Sequence, residues 1–220
     1  IVDLANFLNK MGAKIYGAGT NVIRIKAVEN LKDVSYKIMP DRIEAGTLLI
    51  AGAITGGCVK VNKINPEDIS VVLSKLKEAG CEIIVDKYSV KLSAPIRVKS
   101  VNLKTTPYPG FPTDMQPMFT TMLTLAKGTS IITENIFENR FRFLQELKRM
   151  GIKLTEIDGK TVIIKGVRKL HHANVEATDL RGAASLVLAA LAAKGTTKVS
   201  NIEYLLRGYE NLDKKLNQLG

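Results

Sequence analysis

The stretch Leu76-Lys77-Glu78-Ala79-Gly80 is one copy of a motif, Leu-x-x-apolar-Gly, that recurs through this 220-residue chain. Equivalent stretches end at Gly12, Gly151 and Gly220. The spacing of about seventy residues indicates internal repeats, in which each unit buries its apolar face against its neighbours. Because the scaffold is common to all copies, the differences between them point to function. The chain begins and ends partway through this cycle.

Each copy predicts the same order of elements. Two alternating strands follow the glycine, as in residues 152–157 and 161–164 around Asp158-Gly159, a dipeptide suited to a tight hairpin. A short extended segment then leads to an Asp and to an apolar run that predicts a helix buried on every side. A strand and an amphipathic helix complete the unit. The buried runs are residues 46–53, 118–126 and 183–191. We predict an α/β fold, an inside-out barrel with buried central helices and outer sheets.

The composition is that of an ordinary soluble globular protein. Hydrophobic residues make up 45% of the chain and charged residues 24%, which excludes a disordered protein. The longest apolar stretch, residues 182–193, is shorter than the roughly 20 residues that cross a bilayer. No charged-then-apolar leader precedes the first helix, so no export signal is visible. We expect a cytoplasmic protein with no membrane partner.

The formal net charge of +11 admits nucleic acid, an acidic membrane surface or small polyanionic substrates as partners. Aromatic residues make up only 5% of the chain, Trp is absent, and none interleaves with a basic run as a base-stacking platform requires. Many lysines stand beside acids on helix faces, which is typical of a solvated surface. We therefore expect no nucleic-acid partner, although a non-catalytic scaffold that binds polyanions remains an alternative.

The two cysteines, Cys58 and Cys81, lack the spacing of a metal-binding pair. Cys58 opens a predicted strand, and Cys81 stands where the sister copies have Ala13 and Ile152. Both are predicted to be small buried hydrophobes in a reducing compartment. The sequence predicts no metal site.

An Asp precedes the buried helix in every copy, as Asp41, Asp114 and Asp179. Its default role is to cap the helix by accepting hydrogen bonds from exposed backbone N–H groups. Asp114 differs in context, because the proline-rich stretch Pro107-Tyr108-Pro109-Gly110-Phe111-Pro112 stiffens its approach. A carboxylate on a rigid loop can act as a general base. Both roles stay open for Asp114.

Arginine placement distinguishes the copies further. Arg140 and Arg207 stand at the predicted start of the outer helix in two copies, where the first copy has Asn65-Pro66-Glu67-Asp68. Arg181 begins the third buried helix, where the second copy has Gln116. Arg binds phosphate and carboxylate bidentately, and helix N-termini favour anions. The sequence therefore predicts an anion site, with surface ion pairs as the alternative.

At these positions the chain resembles the enolpyruvyl transferases over essentially its whole length. The resemblance is carried in order by Pro40-Asp41-Arg42-Ile43-Glu44-Ala45-Gly46-Thr47, Phe111-Pro112-Thr113-Asp114-Met115-Gln116, Phe137-Glu138-Asn139-Arg140-Phe141, Thr178-Asp179-Leu180-Arg181 and Arg207-Gly208-Tyr209-Glu210. The third and fifth of these motifs favour the branch that acts on UDP-N-acetylglucosamine over the shikimate-pathway branch, 3-phosphoshikimate 1-carboxyvinyltransferase.

The resemblance implies a two-domain fold of six repeats. Residues 1–39 would be the last repeat of the first domain, and residues 40–220 the bulk of the second. The implied reaction moves the enolpyruvyl group of phosphoenolpyruvate onto the 3-hydroxyl of UDP-N-acetylglucosamine through a tetrahedral intermediate and releases phosphate. This is the first committed step of peptidoglycan synthesis. No metal or organic cofactor is implied.

The resemblance also implies roles for individual residues. Asp114 would accept the proton of the sugar hydroxyl, and Ile136 would line the sugar site. Arg140 and Arg207 would clamp the phosphate and carboxylate of phosphoenolpyruvate. The implied catalytic residues are Asp114 and Arg207, and the implied substrate-binding residues are Thr113, Asp114, Ile136, Arg140, Arg181 and Arg207.

The chain also departs from the family pattern. In the family, a proton-donating cysteine, a Lys-Asn pair and most uridine contacts lie in the first half of the enzyme, and neither Cys58 nor Cys81 matches that cysteine. The expected partner is therefore the missing N-terminal half. We expect this chain to carry only part of the active site and to be unable to turn over substrate alone.

Overall fold

The computed structural model of the protein describes residues 1–219, so the last glycine of the repeated motif, Gly220, lies outside the described residues. The chain divides into two compact units, Ile1–Pro40 and Asp41–Gly220. The first unit contains helix α1 (Val2–Lys10) and the antiparallel strands β1 (Lys14–Tyr16) and β2 (Arg24–Lys26). Residues 35–38, the short extended segment that leads to Asp41, form no strand.

The second unit repeats the predicted order of strands and helices. Its helices are α2 (Arg42–Thr55), α3 (Ser70–Glu78), α4 (Gln116–Leu123), α5 (Phe143–Arg149), α6 (Leu180–Ala192), α7 (Glu203–Leu206) and α8 (Leu212–Leu219). Its strands are β3 (Cys58–Asn62), β4 (Glu82–Asp86), β5 (Ser89–Ser93), β6 (Leu103–Lys104), β7 (Thr129–Thr133), β8 (Lys153–Glu156), β9 (Thr161–Lys165), β10 (Leu170–His171), β11 (Asn174–Glu176), β12 (Ala193–Lys194) and β13 (Lys198–Ser200). Short 3₁₀ turns at Pro66–Ile69, Thr113–Met115 and Arg140–Arg142 precede α3, α4 and α5.

Helices α2, α4 and α6 pack against one another at the centre of this unit. All eight residues of α4 are buried, and Leu49, Ile50 and Leu186 are fully buried in the other two helices. Burying one such side chain stabilises the fold by about 1.5–3 kcal/mol. Helices that are apolar on every side can be accommodated only where other elements surround them, so the predicted central helices are confirmed.

The sheets cover this helical centre with one face each. β3, β5 and β4 form an antiparallel sheet, and β6, β7, β9 and β8 form a larger one in which only β6 pairs in parallel. Buried and exposed residues alternate along β3, β7 and β9, as expected of sheets with one solvated face. Parallel pairs β10–β12 and β11–β13 continue the pattern in the third copy.

The third copy departs from the predicted outer helix. The chain breaks into α7 and α8, and Asn211 between them adopts a left-handed conformation with a φ of 50°. Arg207 consequently follows α7 and does not begin a helix, so its predicted position at a helix start is wrong. Arg140 and Arg181 do lie at the starts of helical segments, the turn before α5 and the first turn of α6.

Arg97 ties the turn after α4 to the chain that follows β9. Its guanidinium donates to the carbonyls of Leu125 (2.6 Å), Ala126 (2.8 Å), Gly166 (3.3 Å) and Val167 (3.0 Å). One charged side chain therefore satisfies groups from two consecutive copies of the repeat.

The two cysteines have different environments. Cys81 is buried as predicted, but Cys58 is exposed, so the prediction of a buried Cys58 is wrong. Cys58 begins β3 on the outward face of the alternation, and its Sγ lies 3.6 Å from the Ser93 hydroxyl oxygen. Burial raises the pKa of the Cys81 thiol to about 11, whereas Cys58 is accessible to solvent.

We expect only Cys58 to react with an aromatic disulfide reagent at neutral pH. The thiolate is the reactive form, and a pKa of about 11 leaves almost no thiolate at Cys81 until the pH approaches that value. Thiol titration should count one fast-reacting group in the folded chain and two in denaturant, and the C58S variant should show none while folded. Two fast groups in the folded wild-type chain would contradict this assignment.

Candidate active site

The three repeat aspartates divide into two kinds. Asp41 Oδ1 accepts from the backbone N–H groups of Ile43 (2.7 Å) and Glu44 (3.2 Å), and thereby caps α2. Asp179 caps α6 in the same way. Asp114 makes no such bond, because the turn that leads into α4 begins at Thr113 and places Asp114 inside that turn. Capping is therefore confirmed for Asp41, and the structure shows a different set of contacts for Asp114.

The Asp114 carboxylate lies between two arginines. Its Oδ1 is 2.9 Å from Arg140 Nη2 and its Oδ2 is 3.4 Å from Arg181 Nη2. The Asp114 side chain remains 43% exposed, so one side of the carboxylate faces solvent. A carboxylate held in this way is oriented by charge-assisted hydrogen bonds and is still accessible to a ligand.

Arg140 is the most buried member of this group, with a side chain that is 5% exposed. Its Nε donates to Thr113 Oγ1 at 3.2 Å, and its guanidinium lies over the Phe137 ring, 4.1 Å from the centroid. Its Nη1 is 3.9 Å from Asp179 Oδ1, the oxygen that caps α6. A guanidinium is suited to such a site because it is planar, weakly hydrated and able to stack on an aromatic face.

Arg181 is joined to the core through Tyr209. Arg181 Nη1 donates to the Tyr209 hydroxyl at 3.4 Å, and that hydroxyl lies 2.9 Å from Thr47 Oγ1 in α2. Burial opposes the charge of Arg181, but its interactions with Tyr209 and Asp114 raise the pKa of the guanidinium overall. Burial raises the pKa of Tyr209, so its hydroxyl stays protonated. The Thr47–Tyr209–Arg181 series of hydrogen bonds links the second turn of α2 to the first turn of α6.

Arg207 differs from the other two arginines. Its side chain is exposed, and it makes no hydrogen bond or ion pair within residues 1–219. The structure therefore brings Asp114, Arg140 and Arg181 together and leaves Arg207 outside their contacts. An exposed guanidinium without a partner is free to bind an anionic ligand.

An open cavity of about 160 Å³ adjoins the Asp114 carboxylate. Thr113, Asp114 and Ile136 line it, so these three predicted substrate-binding residues share one space. Tyr108 and Arg42 line its other side, with the Arg42 guanidinium 5.7 Å from the centroid of the Tyr108 ring. The cavity can accommodate a polar ligand in contact with the carboxylate.

Tyr209 was not predicted to belong to this group, because the residue falls on the apolar face of the predicted outer helix. The core does bury its ring, but its hydroxyl orients Arg181. The signal was its place two residues after Arg207 in the Arg-Gly-Tyr-Glu motif.

In the part of the chain that the structure describes, no group of three or more His, Cys, Asp or Glu side chains could hold a metal ion. Likewise, none of the described helices is long and apolar enough to cross a membrane.

Comparison with known proteins identifies the family. The family model described as EPSP synthase (3-phosphoshikimate 1-carboxyvinyltransferase) matches residues 1–216. The chain belongs to the EPSP synthase family. Relatives named UDP-N-acetylglucosamine 1-carboxyvinyltransferase match this EPSP synthase-family chain over its whole length, with 54% identity in Geotalea uraniireducens and 51% in Myxococcus xanthus. The chain spans about half the length of these relatives, 52% in both.

Solved structures of enolpyruvyl transferases have the same fold as this EPSP synthase-family chain. The enolpyruvyl transferase NikO from Streptomyces tendae superimposes with a TM-score of 0.87 at 29% identity, covering 100% of this chain and 52% of that chain. EPSP synthase from Acinetobacter baumannii superimposes with a TM-score of 0.74 at 19% identity, covering 98% of this chain and 53% of that chain. The predicted enolpyruvyl transferase fold is thereby confirmed.

We expect the Y209F variant to lose about 1–3 kcal/mol of unfolding free energy, because it removes a neutral hydrogen bond to Thr47 and a bond to the charged Arg181 guanidinium. The Thr47 hydroxyl retains its bond to the Ile43 carbonyl, which limits the loss. Chemical denaturation of the chain measures it, with Y204F as the control, since the half-buried Tyr204 side chain makes no hydrogen bond within residues 1–219. Equal effects of the two variants would show that the Tyr209 hydroxyl contributes nothing.

Proposed function

We propose that this chain forms part of a UDP-N-acetylglucosamine 1-carboxyvinyltransferase, which transfers the enolpyruvyl group of phosphoenolpyruvate to the sugar 3-hydroxyl and releases phosphate. The observation that carries the proposal is the Asp114 carboxylate, which caps no helix and is paired with Arg140 and Arg181 beside a cavity. Relatives with this name are 54% and 51% identical to the chain over its full length. The proposal describes a cytoplasmic enzyme of peptidoglycan synthesis, and hence of cell shape and division.

Asp114 is proposed as the proton acceptor. The sugar hydroxyl oxygen would attack C2 of phosphoenolpyruvate, and its proton would pass to the Asp114 carboxylate. General base catalysis requires the carboxylate within hydrogen-bond reach of that hydroxyl, and the exposed side of Asp114 faces the cavity in which the sugar would lie. Thr113 and Ile136, which line the same cavity, would position the sugar.

The arginines are proposed to bind the two anionic groups of phosphoenolpyruvate. Arg140 and Arg181 each direct an N–H group at Asp114 in the structure. A substrate carboxylate or phosphate would compete for these donors, so its binding would release an Asp114 oxygen to accept the hydroxyl proton. Arg207, exposed and without a partner within residues 1–219, would close on the bound anion. Charge that develops in the transition state is stabilised by donors that are already aimed at it.

The proposal assigns the chain a place in a larger enzyme. Residues 1–39 are proposed as the last repeat of a first domain and residues 40–220 as the bulk of the second. The proton-donating cysteine and most uridine contacts would come from the half of the enzyme that corresponds to the unmatched half of the relatives. That half is the proposed partner of this chain. Both substrates are then small molecules that bind where the two halves meet.

A second candidate activity is that of 3-phosphoshikimate 1-carboxyvinyltransferase, because that name describes the matching family model. The experiment joins this chain to the half of the Geotalea uraniireducens relative that it does not match and measures phosphate release. We expect turnover with UDP-N-acetylglucosamine and phosphoenolpyruvate, and none with shikimate 3-phosphate or with the chain alone. The reverse preference would establish the second activity, and a chain that turns over both substrates unaided would refute the proposed division of the site.

In this chimera we expect R207A to lower kcat by about 10²- to 10³-fold, as typically follows loss of a charge-stabilising donor. The melting temperature should not change, because Arg207 is exposed and makes no bond in the described chain. D114N should lower kcat by about 10²- to 10⁴-fold through loss of the general base. The control D158N alters an exposed hairpin aspartate and should leave kcat unchanged. Full activity of R207A would remove Arg207 from the site.

A further inference from the structure

Glu134 is a buried acid outside the site described above. It directly follows β7 and is only 3% exposed. Its Oε1 accepts from the Thr105 hydroxyl (2.7 Å) and from the backbone N–H groups of Ile136 (2.8 Å) and Phe137 (3.0 Å). Its Oε2 accepts from the Thr113 hydroxyl at 3.1 Å. Four donors therefore surround one carboxylate, and such charge-assisted bonds are the strong ones in proteins.

The two oxygens of Glu134 serve different segments. Oε1 joins the end of β6 to the first residues of the loop 135–139, which includes Ile136 of the cavity and Phe137 beneath the Arg140 guanidinium. Oε2 instead reaches the turn that carries Asp114. Fixing the loop alone would require only Oε1, so the Oε2 contact does something more.

The Oε2 contact determines the direction of the Thr113 hydroxyl. A carboxylate can only accept, so the Thr113 proton points to Glu134 and the hydroxyl lone pairs are left for other donors. Arg140 Nε donates to that same Thr113 oxygen at 3.2 Å, while Arg140 Nη2 donates to Asp114. The hydrogen bonds form one directed series from Arg140 through Thr113 to Glu134, and Arg140 is held with its guanidinium towards Asp114.

We propose that Glu134 is a positioning residue for the reaction, acting through Thr113 on Arg140, while its Oε1 holds the loop 135–139 in place. The effect of Glu134 on catalysis rests on the proposed function, whereas its effect on the orientation of Arg140 does not. Glu134 itself would not contact a substrate. It sets the orientation of the arginine that binds the anion and of the loop beside the sugar.

The E134Q variant distinguishes the role of Oε1 from that of Oε2 with almost no change in side-chain volume. A glutamine oxygen can keep the three bonds of Oε1, whereas its NH₂ group would donate to Thr113 and compete with Arg140 Nε for the same lone pairs. T113V removes the shared hydroxyl, and it should therefore have the same effect as E134Q. T105V is the control for the loop alone, because it removes the Thr105 bond to Oε1 and the bond that the Asn135 N–H donates to the same hydroxyl, and leaves the Thr113 bond in place.

In the chimera, we expect E134Q and T113V each to lower kcat/KM for phosphoenolpyruvate about ten-fold, as the loss of one hydrogen bond to a charged group would do. The double variant should be no worse than either single one, because both act through the same bond. T105V should lower the melting temperature and leave kcat/KM within about two-fold of wild type, a change too small to represent a lost hydrogen bond. Additive losses in the double variant, or an equal loss in T105V, would overturn the proposal.

Measurements on the 220-residue chain keep this test independent of catalysis. By NMR, E134Q should shift the Arg140 Nε–H resonance and preserve the slow amide exchange of Ile136 and Phe137. T105V should accelerate that amide exchange and leave the Arg140 resonance in place. If the wild-type chimera is inactive, the proposed function fails while these spectra still decide the role of Glu134. An unchanged Arg140 resonance in E134Q would refute that role.

Discussion

The burial of three helices that are apolar on every side is the constraint on which the second unit of this chain depends. Helices α2, α4 and α6 have no polar face to present to water, so sheets and outer helices must enclose them. The charged residues of these helices, Arg42, Glu44 and Arg181, all lie in their first turns. Asp114, Arg181 and Thr47 all lie at or near the starts of these helices and are connected through Tyr209. The hydrophobic arrangement thus concentrates the reactive chemistry in one place.

The repeat explains why that place is asymmetric. Asp41 and Asp179 retain the structural role of capping a helix, whereas Asp114 lies within a turn and pairs with two arginines. A position that one copy does not need for folding can take on another role, because the fold remains supported by the other copies. The same reasoning applies to the arginines, which the first copy lacks at its corresponding outer helix.

Much of the fold could be predicted from the sequence, because the spacing of apolar residues reflects which side chains are buried. The central helices, the hairpins and the capping by Asp41 follow from local patterns. Three results did not follow from them. The outward orientation of Cys58 depends on strand register, the position of Arg207 depends on a break before α8, and the role of Glu134 depends on partners 21 and 29 residues away. A pattern in one segment contains no information about such distant partners.

Arg97 bears on how such a protein could be divided. Its guanidinium donates to carbonyls in the turn after α4 and in the chain after β9, so one side chain of the second copy joins backbone of the second and third copies. Solenoid repeats are joined by similar contacts between neighbours and can be added or removed at their ends. Here a cut between these two copies would separate Arg97 from the carbonyls of Gly166 and Val167. The repeat is a unit of sequence, but its copies share hydrogen bonds that no single copy can make alone.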